Sequence, residues 1–137
     1  MSFPVAGRMA DRFGAVTLTR ILAVLYAVAL VGIAMVPVSV LALGAAMFFF
    51  GATHGAMDVT MNSWATEVEK AAKRPIMSSF HAMWSLGTGL GALSGYFAGQ
   101  IDLGSTAHFL IAAALFSALC LPFSAILWTS ETTTGQK

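Results

Sequence analysis

From Ile21 to Met57 the chain runs without a single Asp, Glu, Lys or Arg. Roughly 20 apolar residues are enough to cross about 30 Å of hydrocarbon, so a run of this length must double back on itself at a bilayer. Composition points the same way: with 58% hydrophobic and 9% charged side chains, the 137 residues lack the polar surface to coat a soluble globule. In lipid every backbone amide and carbonyl needs an internal partner. Helices supply it within one segment, whereas a few strands do not.

The doubling point is Val36-Pro37-Val38-Ser39, a helix breaker without an amide donor followed by a residue suited to an N-cap. It divides the run into one span over residues 17–36 and another over 38–63. Charged residues from Glu67 to Arg74, then Pro75, close the second span and open a third over 76–100. The turn Gly104-Ser105-Thr106 precedes a fourth span over 107–129, in which Pro122 is expected to introduce a kink. The expected fold class is an all-α membrane protein with four transmembrane helices. Its layout is a polar loop over 1–16, a hairpin over 17–63, a loop over 64–75, a second hairpin over 76–129 and a polar tail over 130–137.

Arg8, Arg12, Arg20, Lys70, Lys73, Arg74 and Lys137 all fall on one side of this layout, and the opposite turns carry no basic residue. The positive-inside rule then places both termini in the cytosol of an integral, multi-pass protein of a bacterial inner membrane or plasma membrane. Met1 to Val5 is too short to be a signal peptide. Cys120 stands alone in an apolar segment and reads as a small packing residue.

Polar residues inside such segments are the costly part of the sequence. An Asp at mid-helix costs about 2.5–3.5 kcal/mol on insertion scales, so it normally meets a partner or water. His54, Asp58 and Asn62 are spaced by four and share one face of the second span; His81 and Ser85 repeat that spacing on the third, beside Trp84. In an antiparallel pair turning near Lys70, the two stripes lie at similar depth and can face one cavity. A carboxylate beside an imidazole in a partly dry site takes up or releases a proton at modest cost, because burial and a neighbouring charge act in opposite directions. Other readings stay open. Asp58 lies about 29 Å along the helix from Ser39, so it can be an interfacial anchor beside Trp64. His81 can bond loop carbonyls after Pro75, His54 can cap a neighbouring helix, and Trp84 can be packing or a face for a sugar-like ring. Gly87, Gly91, Gly95 and Gly99 leave one face of the third span nearly bare, which suits close helix packing with or without sliding.

No HExxH, GxSxG, phosphate-binding glycine loop or cysteine cluster is present, so the sequence does not read as an enzyme. No metal, other cofactor or nucleic acid is expected as a partner.

Near the N-terminus, Gly7-Arg8-Met9-Ala10-Asp11-Arg12-Phe13-Gly14 reads on its own as a glycine-bounded turn with a helix-capping Asp. It also resembles the cytosolic loop between the second and third helices of the major facilitator superfamily. Gly7, Asp11, Arg12 and Gly14 match that pattern, while Ala15 and Val16 stand where the family usually continues with basic residues. Residues 57–68, MDVTMNSWATEV, with SSFHAMWSLGTGLGA after them, are similar to the fourth and fifth helices of the fucose-permease-like branch, where an acidic residue stands four positions before an Asn, as Asp58 stands before Asn62.

The resemblance implies a fragment covering helices three to six, with the peripheral third and sixth helices plain and the fourth and fifth lining the cavity or domain interface. It implies a secondary transporter for a sugar or other small metabolite, probed through Asp58 as a proton-responsive group with Asn62, His54, His81, Ser85 and Trp84 as solute or relay contacts. Asp11 and Arg12 belong to the gate. The family's antiporter Gly-Pro pair is missing from the third span, which favours symport or uniport. Expected partners are the solute and protons, the bilayer, and the remaining transporter helices or another copy of this chain. Two alternatives stand beside it. One is a self-assembling four-helix protein like the small multidrug exporters, although the first span lacks the acidic residue those need. The other is a truncated, non-transporting membrane subunit.

Overall fold

The computed structural model describes residues 3–36 and 39–132; the turn expected at Pro37 and the basic Lys137 lie outside the described residues. The described backbone is helical, with no strand among the described residues, in five elements: α1 (Phe3–Phe13), α2 (Ala15–Met35), α3 (Val40–Ala72), α4 (Met77–Gln100) and α5 (Ser105–Ser124).

The first departure from expectation is α1, which occupies most of the stretch read as a polar loop. Ala6 and Ala10, one turn apart, are buried, while Arg8, Met9, Asp11, Arg12 and Phe13 are exposed. Glycine inside a helix costs about 1 kcal/mol relative to alanine, and Gly7 led the sequence reading towards a turn. The alanine face packing on α2 and α3 offsets that cost. Gly14 then turns the corner into α2: its φ is 87°, its N–H reaches the Ala10 carbonyl at 2.8 Å, and its carbonyl accepts from Leu18 N–H at 3.2 Å.

Helix α3 begins as expected, with the Ser39 hydroxyl accepting from Ala42 N–H at 3.4 Å. It does not stop at residue 63. Its 33 residues span about 50 Å, far more than the hydrocarbon thickness, and it closes at Lys73 in the left-handed conformation at φ 52°. Charge at Glu67, Glu69 and Lys70 ends an apolar run without ending a helix, because Glu, Lys and Ala are good helix formers. The loop expected over 64–75 is therefore the four residues 73–76 rather than twelve. Helix α5 is shorter than expected: it ends at Ser124, two residues past Pro122, with Ala125 N–H closing onto the Pro122 carbonyl at 3.2 Å. Residues 126–132 leave the helix and continue past Arg20 towards the start of α2.

Four membrane spans were expected. By length and apolarity two of the described helices, α2 and α3, can cross a bilayer, and the apolar part of α5, Ser105–Cys120, is shorter. Serine, threonine, histidine and glycine dilute α4 below that standard.

The core sits where α1, α2 and α3 meet. Ala10, Ala15, Leu18 and Leu22 form it, with Ala56, Met57 and Trp64 of α3 packed against them. Further along α2, the Tyr26 ring lies tilted against Phe50 at 4.9 Å and Phe116 at 5.3 Å between centroids, tying α2 to α3 and α5. Helix α4 stands apart. Of its described residues only Ala98 is buried.

Candidate functional site

The polar face of α3 is the feature an apolar helix does not need for packing. Asn62 Nδ2 donates to the Asp58 backbone carbonyl at 2.8 Å and to Asp58 Oδ1 at 3.2 Å, the i, i+4 geometry expected for these two residues. Asp58 is exposed and Asn62 half-buried. The hydroxyls nearby are occupied within the helix: Thr53 donates to the Phe49 and Phe50 carbonyls, Thr60 to Met57, Ser63 to Val59 and Thr66 to Asn62. The hydroxyl protons of this stretch are therefore used on the helix's own backbone, and the Asp58 carboxylate with its amide partner is its exposed charged group.

One turn away, His54 is half-buried between aromatic rings. It lies parallel to Phe50 at 6.2 Å and tilted against Tyr26 at 5.8 Å. Its buried Nδ1 has no hydrogen-bond partner among the described residues. An unpaired buried imidazole nitrogen costs about 1–3 kcal/mol. His54 faces α2, while Asp58 is open to the surroundings, so the stripe is split between an inner and an outer position.

The structure does not bring the α4 residues to this stripe. His81, Trp84 and Ser85 are exposed, and no hydrogen bond, ion pair or ring contact joins them to His54, Asp58 or Asn62 among the described residues. The Trp84 carbonyl accepts a local bond from the Thr88 hydroxyl at 3.0 Å. A Cβ added at Gly87, Gly91 or Gly99 would meet nothing within 4 Å, and at Gly95 only His108 Cε1 at 3.9 Å. That glycine face is uncovered rather than packed against a helix of this chain. Across the turn, Ser94 Oγ and His108 Nε2 lie 3.1 Å apart and link α4 to α5.

At the other end of the molecule lies a set of contacts that the sequence reading missed. Residues 126–132, expected as the end of a helix and the start of a tail, form a strap across the basic end of the bundle. Ser130 Oγ accepts from Val16 N–H at 3.0 Å and so caps α2. Gly14 approaches it so closely that a Cβ there would lie 3.1 Å from Ser130 Cβ. Arg20 Nη2 donates to the Ile126 carbonyl, Trp128 Nε1 donates to Glu67 Oε2 at 2.9 Å, and Lys70 pairs with Glu131 at 3.6 Å. Below the strap, Glu69 Oε2 accepts from Ile76 N–H at 2.7 Å and Met77 N–H at 2.8 Å, capping α4 from the end of α3. Of the gate residues, Gly14 thus lies under the strap and Asp11 and Arg12 are exposed on α1, with the Arg12 guanidinium 5.5 Å from the Phe13 ring centroid. Gly7 has open space around its Cα. The available signals for the strap were Pro122 and the interfacial Trp128; nothing local announces a bond between residues 16 and 130.

The described residues thus combine two helices long and apolar enough to cross a bilayer, a carboxylate–amide pair on one of them and a basic end closed by short links. The chain belongs to the Major Facilitator Superfamily, whose family model matches residues 1–137. It is 45% identical over 136 residues to an uncharacterized transporter of Sinorhizobium fredii, covering 99% of this chain and 36% of that protein. It is also 49% identical over 47 residues to an uncharacterized MFS-type transporter of Yersinia pestis, covering 34% of this chain and 12% of that protein. No solved structure matches it. The chain spans a little over a third of the length of the first relative. It is an integral membrane protein of a transporter family, and that class, rather than an enzyme class, is what family and relatives share.

Proposed function

We propose that this chain is part of a secondary active transporter that moves a sugar or other small metabolite with protons, as in the fucose-permease-like branch it resembles. The observation that carries the reading is the Asp58–Asn62 pair, a carboxylate hydrogen-bonded to an amide at 3.2 Å on a helix otherwise apolar enough to span a bilayer. Asp58 takes up and releases the coupling proton, and Asn62 holds its Oδ1 in place while the other oxygen stays available. His54, one turn away with an unpaired Nδ1, is the nearest group on the same helix to exchange a proton with it or bond a solute hydroxyl. His81, Ser85 and Trp84 contact solute on the opposite wall once α4 moves towards α3. Gly7, Asp11, Arg12 and Gly14 form the gate at the basic end, which faces the cytosol. The bare glycine face of α4 takes a helix from beyond this chain or from another copy of it, which completes the pathway.

The test is uptake into energised membrane vesicles from cells expressing the gene that carries this chain. Asp58→Asn keeps the size and the hydrogen bond to Asn62 but cannot ionise. It is expected to abolish accumulation against a gradient while leaving membrane insertion and solute exchange in place. Accumulation equal to that of the parent protein would rule Asp58 out as the coupling group.

A further inference from the structure

Two shallow hollows lie end to end between α2 and α5. The first runs from Arg20 past Val24 to Phe116 and Cys120; the second continues it through the shared Ala27, Val28 and Ser117 to Val31 and Leu110. Together they make one groove whose walls are aliphatic and aromatic apart from Ser117, Cys120 and the cation at its end. Its course along α2, from Arg20 to Val31, is about 16 Å, close to half of the roughly 30 Å hydrocarbon thickness and so to the depth of one leaflet. Val24 and Val28 on its rim are 51% and 57% exposed, so the groove opens outward rather than into the bundle.

Arg20 is poorly served by the protein alone. The bond it makes is to a neutral carbonyl, that of Ile126, and its Nε is buried without a hydrogen-bond partner. A guanidinium presents a fork of donors that matches a phosphate. It stands one and a half turns into α2, at the end of the molecule that also carries Arg8, Arg12, Lys70, Lys73 and Arg74. That is the depth of lipid headgroups in the leaflet facing a basic protein surface, where anionic lipids are concentrated.

We propose that the α2–α5 groove is a binding site for one anionic phospholipid, its acyl chain lying along Ala27, Val28 and Leu110 and its phosphate meeting Arg20. The site is independent of the transport reading, since it uses none of the residues of the α3 stripe. A bound lipid also braces the strap, because Arg20 holds Ile126 with one nitrogen and the phosphate with the others.

Cys120 is the sole cysteine of the chain and lines the groove, so its alkylation by a maleimide reports occupancy in the unmodified protein. In neutral detergent micelles, phosphatidylglycerol at about ten times its Kd is expected to slow labelling roughly tenfold, since the open fraction falls as 1/(1 + [L]/Kd). Phosphatidylcholine with the same acyl chains is expected to leave the rate within about twofold of the lipid-free value at that concentration. Arg20→Gln should abolish the protection and Arg20→Lys should restore most of it. Ala27→Phe, which fills the groove without touching its charge, should weaken phosphatidylglycerol binding measured by native mass spectrometry. Equal protection by both lipids, or protection that survives Arg20→Gln, would overturn the proposal. So would protection by inorganic phosphate alone, which would make Arg20 a free-anion site. If Arg20→Gln does not fold, the comparison of the two lipids on the unmodified chain and the Ala27→Phe measurement still decide it.

Discussion

Helices α2 and α4 are both flanked by a polar turn and rich in small residues, yet one is held on several sides and the other is nearly bare. Along α2, Ala15, Val16, Leu18, Thr19, Leu22, Ala29 and Ala34 are buried against α1, α3 and α5; along α4, Ala98 is the buried residue among those described. In lipid, apolarity alone does not drive helices together, since the acyl chains are as apolar as leucine. What holds α2 is shape complementarity to its neighbours and the hydrogen bonds at its basic end. The contrast teaches that a helix with good packing residues remains unpacked until a surface of matching shape lies beside it. The four-residue glycine ladder of α4 is ready for one that these residues do not supply.

The contrast is most open to challenge by paired substitutions. Leu18→Ala removes a side chain 6% exposed in the α1–α2–α3 core and should destabilise the chain by about 2–3 kcal/mol. Leu90→Ala, at a position 58% exposed on α4, should stay within about 0.5 kcal/mol. Unfolding midpoints in mixed micelles measure both, and equal costs would break the distinction between the two helices. Glu69→Ala acts on the link between the two regions. It removes a carboxylate that accepts two backbone N–H bonds at the start of α4 and should cost about 1.5–3 kcal/mol locally, read as faster amide exchange at Ile76 and Met77 with the α2 amides unchanged. The smallest pair sharpens the picture at glycine. Gly14→Ala must adopt φ 87° and press on Ser130, a strain of about 1–2 kcal/mol that also loosens the strap. Gly91→Ala meets open space within a helix and should stabilise α4 by up to about 1 kcal/mol. If Gly91→Ala were instead destabilising in the membrane while remaining neutral in micelles, a helix must cover that face in the bilayer.

Much of the architecture was legible in the residues. The helix start at Ser39 and the break near Pro75 are announced by side chains that act within a few positions, while the turn expected over 104–106 lies at 101–104, with Ser105 and Thr106 already in α5. The superfamily assignment was legible too, because Gly7, Asp11, Arg12 and Gly14 form a local pattern. The misses share one cause. Charge at Glu67 to Lys70 marks where an apolar run ends, and the helix continues regardless; Gly7 marks a weak point, and tertiary packing of Ala6 and Ala10 overrides it. In the site, the Asn62–Asp58 bond follows from spacing alone, while the expectation that His81 and Ser85 face it assumed that consecutive helices pack along their full length. Here α3 and α4 do not.

The sequence by itself determined that this chain is helical, that it belongs in a bilayer, and that His54, Asp58 and Asn62 follow one another at single-turn spacing on α3, because each follows from backbone satisfaction, apolarity and a period of 3.6 residues acting locally. Only the tertiary structure decided that residues 126–132 return to cap α2 through Ser130, that Arg20 stands at the mouth of a groove beside Phe116 and Cys120, and that α4 is left uncovered. These depend on pairings across as many as 114 positions, which are selected by shape and by the few hydrogen bonds that survive burial and so leave no mark in any one stretch of the chain.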